Sequence, residues 1–380
     1  MRVAIVGAGV GGLTAAVALR GRGIHADVYE QQSRPAEIGA GVSLGANGMR
    51  VLDGLGLGAA VRGVASNLPR IQFRHWRTGG VFHEHPLGDW YERRFGGPFL
   101  GVHRADLHRV LLDAYEGKPV LGRRCVGVQE GADGVTAEFA DGSRVRADVV
   151  VGADGLRSAV RAHVAGADAP VFSGTSCFRG LVPGSDIDGL TFFLGPGRHL
   201  VAYPVRGGDF VNFVAYVPDP GRPRESWSAR STPGEAAAAF DGWTATVTSL
   251  LGRAGEVGRW ALYDREPVRR WSTGRVTLLG DAAHPMLPHA GQGSNQAIED
   301  AAALAACLAA GDDVAAALHR YEQVRKARTR QIQAGSRGNA ACFQLPDGPA
   351  ADERNARLRD LPETAGWIHG YDIGAAVTGP

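Results

Sequence analysis

Three glycines near the start of the chain, Gly7, Gly9 and Gly12, stand in the pattern Gly-x-Gly-x-x-Gly after a short apolar run and before an apolar-periodic stretch. The first permits a tight turn. The second lets the backbone approach a diphosphate, and the third lets a helix pack closely on the preceding strand. Gly11 belongs to the same cradle, and the helix that opens there turns its positive end toward the phosphates. Glu30, at the end of the next apolar run, places a carboxylate where a ribose diol can donate hydrogen bonds. Strand, glycine turn, helix and acid together predict a dinucleotide site.

A second set lies far downstream. Gly280-Asp281-Ala282-Ala283-His284 follows the apolar Arg275–Leu279, and Pro288-His289-Ala290-Gly291-Gln292-Gly293-Ser294-Asn295 then opens a helix. An acid at a strand end can bind the hydroxyls of a ribityl chain. A glycine-rich helix start presents bare N–H groups and a positive dipole end, which suit the negative charge of a reduced flavin near N1 and O2. The same residues also read as a helix cap and an ordinary turn.

The elements that must hold these groups can be traced along the chain. Residues 2–6 read as a buried strand, the glycine turn at 7–12 follows, a helix runs to about Arg22, and Ala26–Glu30 is a second strand. A helix is predicted over Ala105–Ala114, a hairpin over 124–129 and 134–139, and a buried strand over Val145–Val151. From about 170 to 270 the pattern alternates through Val171–Val182, Leu190–Leu194, Leu200–Arg206 and Phe210–Val217, with one helix at roughly 233–251. This predicts an antiparallel sheet inserted into an α/β fold. A buried strand returns at Arg275–Gly280, a helix starts near Asn295, and a long helix covers Val314–Asn339 with Asp312 or Asp313 as its cap. Residues after Pro346 read as a Pro-rich, then weakly helical tail.

Composition narrows the classes. Of 380 residues, 44% are hydrophobic and 21% charged, which excludes a disordered or fibrous chain. A net charge of +2 leaves no electrostatic footprint for nucleic acid or an anionic membrane. No apolar run reaches the roughly 20 residues of a membrane helix. The four cysteines are scattered with no CxxC pair, so neither a disulfide scaffold nor a zinc site is expected, and a cytoplasmic setting fits. His83-Glu84-His85 lacks a third ligand of suitable spacing, so no metal is predicted.

With these motifs in order, the sequence resembles the single-component FAD-dependent aromatic hydroxylases, which include salicylate, 3-hydroxybenzoate, 6-hydroxynicotinate and 4-hydroxybenzoate hydroxylases. The family's GD motif corresponds to Gly280-Asp281, and its DG motif to Asp154-Gly155 with Leu156-Arg157-Ser158 and Arg161. Val102-His103-Arg104-Ala105-Asp106-Leu107 matches a segment whose arginine contacts the FAD phosphates, a role that falls to Arg104. Gly39-Ala40-Gly41-Val42, with Asn47 and Arg50, matches the segment under the flavin. The resemblance implies an α/β fold. A Rossmann-like FAD-binding domain (1–72, 100–168 and 268–345) would carry an inserted antiparallel-sheet substrate domain (73–99 and 169–267), with C-terminal helices and a tail at 346–380. It implies an enzyme, monomer or homodimer, in which NADPH or NADH reduces FAD, O2 forms a flavin C4a-hydroperoxide, and an aromatic or phenolic small molecule is hydroxylated. No second Gly-x-Gly-x-x-Gly follows, which argues against architectures with a separate nicotinamide domain. Other outcomes on the same fold are a monooxygenase acting on a polyketide, alkaloid or antibiotic, a flavin dehydrogenase that does not oxygenate, and a non-catalytic FAD-binding regulator.

The resemblance places the substrate between the sheet and the flavin. His199 and Tyr203 are four apart on one predicted strand and so share a face, where one could accept or relay a phenolic proton. The bland alternative is a surface histidine and a core tyrosine. His289, after Pro288 in the flavin loop, is a second candidate, and His284 reads as structural. One departure stands out. Phe192 or Phe193 falls where 4-hydroxybenzoate enzymes carry their tyrosine, and Val205 where they carry a carboxylate-binding arginine. A 4-hydroxybenzoate substrate is therefore not expected, and Arg206 and Arg179 remain open as anion partners.

Overall fold

The computed structural model describes residues 1–33, 41–184, 186–221, 230–311 and 313–378. A four-stranded parallel sheet runs in the order Val276–Leu278, Val149–Gly152, Arg2–Val6, His25–Tyr29. Its central strands are covered on both faces, which is why they read as unbroken valine and isoleucine runs. The helices Val10–Arg20 and Gly293–Ala309 cross one face with little space between them. A Cβ on Gly11 would stand 3.1 Å from that of Ala297, so small residues set this approach.

The expected run Val145–Val151 is two strands in two sheets. Arg144–Ala147 completes a three-stranded antiparallel sheet with the hairpin Cys125–Gly131 and Gly134–Phe139, and Val149–Gly152 joins the parallel sheet. The break is at Asp148, whose carboxylate accepts the Arg2 backbone N–H at 2.6 Å. The predicted helix at 233–251 is likewise two, Pro233–Ala238 and Ala245–Gly252, separated at Gly242 with φ +77°. The long helix covers Val314–Cys342 with Asp313 as its cap. Asp312, the other proposed cap, lies outside the described residues.

The large sheet has eight strands. From one edge they are Arg230–Ser231, Val257–Asp264, Val171–Pro183, Phe210–Pro218, Arg198–Val205, Leu190–Gly195, Arg70–His75 and Val81–Pro86. Leu190–Gly195 pairs in parallel with Arg70–His75, so the sheet is mixed rather than purely antiparallel. The period-2 alternation divides its faces. Phe178, Phe193, Leu200 and Phe213 pack against Val247 of the second short helix and against Phe240 and Trp243 in the turn that joins the two helices. The opposite face is the floor of a cavity of about 850 Å³. The residues read as a tail form four helices, Pro349–Leu358, Leu361–Thr364, Gly366–His369 and Ile373–Thr378, and the first three supply a wall of that cavity. Among the described residues no helix is long and apolar enough to cross a membrane.

Candidate active site

The glycine turn is built as its spacing requires. Gly7 has φ +109°, and a Cβ there would lie 2.3 Å from the Ala153 carbonyl oxygen. A Cβ on Gly12 would lie 2.0 Å from the Gly7 carbonyl oxygen. Gly9 is the exception: a Cβ there meets nothing within 4 Å, and the residue lines the cavity. Gly9 is also the N-cap of its helix and offers no side chain, so the first N–H groups are left for a ligand. Glu30 accepts from the Ala8 N–H at 2.9 Å and from the Gln32 N–H at 2.8 Å, which fixes its carboxylate beside the turn.

Arg104 and Asp281 face the same cleft, and neither side chain makes a hydrogen bond among the described residues. Enclosure by protein pushes the Asp281 carboxyl up and the Arg104 guanidinium down, while their opposite charges act the other way. The loop bearing Asp281 is anchored from behind. The Gly280 N–H donates to Asp300 at 2.9 Å, and His284 Nε2 lies 2.6 Å from the same oxygen. Burial opposes ionisation of Asp300, but His284 and Arg325 outweigh it and bring its pKa down to about 2. His284 is thus a structural residue.

The strand Gly41–Leu44 and the turn Pro288–Ala290 both line the cleft and lie side by side, a Cβ on Gly291 falling 2.8 Å from Ser43 Oγ. Asn295 ties them together. Its Oδ1 accepts the Gly45 N–H at 3.0 Å, and its Nδ2 donates to the Ser43 and Gly291 carbonyls at 3.0 and 3.1 Å. Val42, Pro288, Gly291, Gly293 and Ser294 line the cavity, and the helix from Gly293 has no side-chain cap. Gly39 and Ala40 lie outside the described residues. Asp154 is turned inward: one carboxylate oxygen accepts from the Ala159 and Val160 N–H groups, and its neighbours Ala153 and Gly155 line the cavity instead. Bare helix N-termini, an open Gly9, and an arginine and an aspartate without protein hydrogen bonds fit a pyrophosphate, a ribityl chain and a flavin ring.

On the cavity floor, His199, Val201 and Tyr203 point to one side of their strand. His199 is stacked on Tyr216, with ring centroids 4.2 Å apart, and its Nε2 lies 3.3 Å from His289 Nδ1. The Gln344 amide N–H donates to His199 Nδ1 at 3.3 Å. That bond puts the proton of neutral His199 on Nε2, where it donates to His289 Nδ1. His289 then carries its own proton on Nε2, which has no partner among the described residues. Burial lowers both imidazole pKa values, that of His289 to about 4, so both rings are neutral near pH 7.

Phe192 lines the cavity and Phe193 packs on the opposite face. Arg206 is engaged with Asp106 outside the cavity. Arg179 lines the cavity, over Trp260 at 5.0 Å, within electrostatic reach of Arg104 and also of Tyr203, Tyr216 and His289. Sequence reasoning missed Tyr216, Phe343 and Gln344 beside the histidines, and Leu358, Ile368 and His369 in the C-terminal wall. Only alternation along Phe210–Pro218 could have pointed to Tyr216.

A Rossmann-like cofactor frame carrying a large sheet over a shared cleft defines a flavoprotein monooxygenase. The chain belongs to the FAD binding domain family, whose model matches residues 1–336. It is 44% identical over 384 residues to a 3-amino-4-hydroxybenzoate 2-monooxygenase of Streptomyces platensis, covering 98% of this chain and 96% of the relative. It is 36% identical to a 6-hydroxynicotinate 3-monooxygenase of Pseudomonas fluorescens, covering 98% and 95%. The crystal structure of Klebsiella pneumoniae HpxO complexed with FAD and uric acid superposes with a TM-score of 0.88 at 32% identity, covering 100% of this chain and 97% of that one. The protein is accordingly an FAD-dependent aromatic monooxygenase that uses NAD(P)H and O2.

Proposed function

We propose that this enzyme hydroxylates a small aminohydroxybenzoate, of the 3-amino-4-hydroxybenzoate class, at the ring carbon beside the amino group. Relatives with that activity, at 44% and 42% identity over nearly the whole chain, support the substrate class. The observation that carries the reading is the neutral His199–His289 pair in an aromatic-walled cavity. Position 2 of such a ring is ortho to the amine and meta to the hydroxyl. The lone pair of the neutral amine, rather than a phenolate, therefore raises its nucleophilicity.

Bound FAD, reduced by NAD(P)H, would activate O2, one atom of which enters the ring while the other leaves as water. The side chains of this chain then have three tasks. His289, held by the Gln344–His199 chain, borders the cavity as a neutral ring and places no positive charge beside a ring that must act as nucleophile. Tyr203 and Pro288 fix the ring plane between the sheet and the flavin loop. Phe192, Val201 and Phe343 exclude water from the reacting carbon.

The test is oxygen consumption coupled to NADPH or NADH oxidation with 3-amino-4-hydroxybenzoate. The product should be heavier by one oxygen atom that derives from labelled O2. Stimulated NAD(P)H oxidation without incorporation of that atom, or turnover of other phenolic acids alone, would overturn the reading.

A further inference from the structure

The buried arginines of this chain are, with few exceptions, paired with carboxylates. Arg161 and Arg265 share Asp168, and Arg325 and Arg328 share Glu299. Arg354 breaks this rule. It is 6% exposed and lines the cavity from the helix Pro349–Leu358. Its hydrogen bonds go to neutral oxygens, from Nε to Asn355 Oδ1 at 3.0 Å and from Nη1 to the Cys342 carbonyl at 3.3 Å. No carboxylate among the described residues forms an ion pair with it, and Nη2 has no acceptor there. Asp347 and Asp352 act on it only at longer range. A guanidinium taken out of water without an anion is costly, so the missing anion is expected from a ligand.

Its surroundings indicate which ligand. Phe73, Phe343 and Leu358 form one apolar cluster, with Phe192 packed against it, and the Arg354 guanidinium stands 6.0 Å over the Phe82 ring. A planar fork beside flat aromatic walls suits the carboxylate of an aromatic acid. Two other cavity arginines form no ion pair among the described residues: Arg104, opposite Asp281, and Arg179, which stands over Trp260 and within electrostatic reach of Arg104, Tyr203, Tyr216 and His289. Arg354 also lies beyond residue 336, where the family match ends, and so outside the shared cofactor frame.

We propose that Arg354 binds the substrate carboxylate and makes the C-terminal helix the element that selects aromatic acids. This rests on the reading of the substrate as a benzoate. The holoenzyme is titrated with 3-amino-4-hydroxybenzoate and with its carboxamide, using the change in oxidised-flavin absorbance. Wild type should prefer the acid by roughly 10- to 150-fold, the range of one charge-assisted hydrogen-bonding pair. Arg354→Gln and Arg354→Met should bind both with similar affinity, and either variant that keeps FAD serves. Arg354→Lys should recover part of the preference, and Arg179→Gln should retain it. An acid preference that survives loss of Arg354, or disappears with Arg179→Gln, overturns the assignment. If wild type binds salicylate or 3-hydroxybenzoate in an Arg354-dependent way but not 3-amino-4-hydroxybenzoate, the anchor stands and the substrate reading falls. If wild type binds no aromatic acid, both fall.

Discussion

His199 and His289 share a hydrogen bond, Nε2 to Nδ1 at 3.3 Å, although they come from a sheet strand and a flavin loop 90 positions apart. The bond couples the floor of the cavity to the loop beside Pro288. With Gln344 donating to His199, the direction of the chain is set, and His289 ends it as a donor.

His289→Asn should therefore lower the rate of ring hydroxylation by about 10²-fold, the cost of a slightly misplaced ring, because the cavity wall loses its link to His199. FAD affinity should change little, because the His289 side chain contacts His199 and Tyr216 rather than the glycine turn. His199→Asn acts through His289 and should cost less. Product formed per NAD(P)H consumed, measured beside FAD titration of the apoprotein, separates these effects. Loss of FAD binding equal to the loss of rate would refute the assignment.

Two glycines of one turn should respond oppositely to alanine. Gly12→Ala forces a Cβ to within 2.0 Å of a backbone carbonyl, and the apoprotein should lose thermal stability or fail to fold. Gly9 has φ −72° and ψ −178°, which alanine adopts freely, and its Cβ meets nothing. Gly9→Ala should leave the apoprotein melting temperature unchanged and weaken FAD binding at least tenfold. Equal FAD affinity in Gly9→Ala and wild type would show that the cofactor backbone lies elsewhere.

What could be read from the chain was what is encoded locally. The Gly7–Gly12 turn and the helix start at Gly293 are contiguous, and turn geometry and backbone N–H exposure follow from such short segments. The shared face of His199 and Tyr203 followed from a two-residue period. Asp154 was misleading because its motif reports a tight loop, and here the carboxylate holds that loop to its own helix. Val145–Val151 read as one strand because Arg146 and Asp148 interrupt it without a glycine or proline, yet the chain passes from one sheet to another at Asp148. The C-terminal wall left only a weak helical signal, with nothing to place it against the cavity. His369 is defined by contacts with Tyr91, Phe95 and Phe99, more than two hundred residues away, and such contacts are set by topology rather than by local pattern.

Asp281→Ala should weaken FAD binding by roughly 10- to 150-fold, the loss of about 1.5–3 kcal/mol for a hydrogen bond to a charged group. The fold should persist, since Asp300 rather than Asp281 anchors the loop. Apoprotein titration with FAD and a melting curve without FAD check the two halves. Unchanged affinity would remove Asp281 from the site.

Stability should fall on acidification. Burial brings the pKa of His289 and His369 from the ordinary 6.5 to about 4. Between these values the unfolded chain binds more protons than the folded one, so stability rises with pH and is lost as pH falls from 6.5 toward 4. Each histidine contributes up to about 1.4 kcal/mol per pH unit within that window. Melting temperatures across pH 4.5 to 7.5 should show the slope, and His369→Asn should flatten it. A melting temperature that is flat over this range would contradict the burial of both rings.

Tyr203 offers the sharpest test of the cavity floor. It is 6% exposed, lies on the cavity side of its strand, and its hydroxyl is so near Gly41 that a Cβ there would come within 2.8 Å. The hydroxyl makes no hydrogen bond among the described residues. Burial pushes the phenol above its usual range, so Tyr203 remains a donor throughout the working pH range and is not a base. A donor between the sheet and the strand Gly41–Leu44 can orient a ring substituent against the flavin, and its loss frees the ring to tilt. Tyr203→Phe should therefore lower product formed per NAD(P)H consumed, or raise substrate KM about tenfold, with FAD affinity and melting temperature close to wild type. The rival account makes Tyr203 a core residue beside Leu190 and Tyr91, whose ring packs and whose hydroxyl touches no substrate. On that account phenylalanine is silent in both coupling and KM, and a silent variant would remove the Tyr203 hydroxyl from the substrate site.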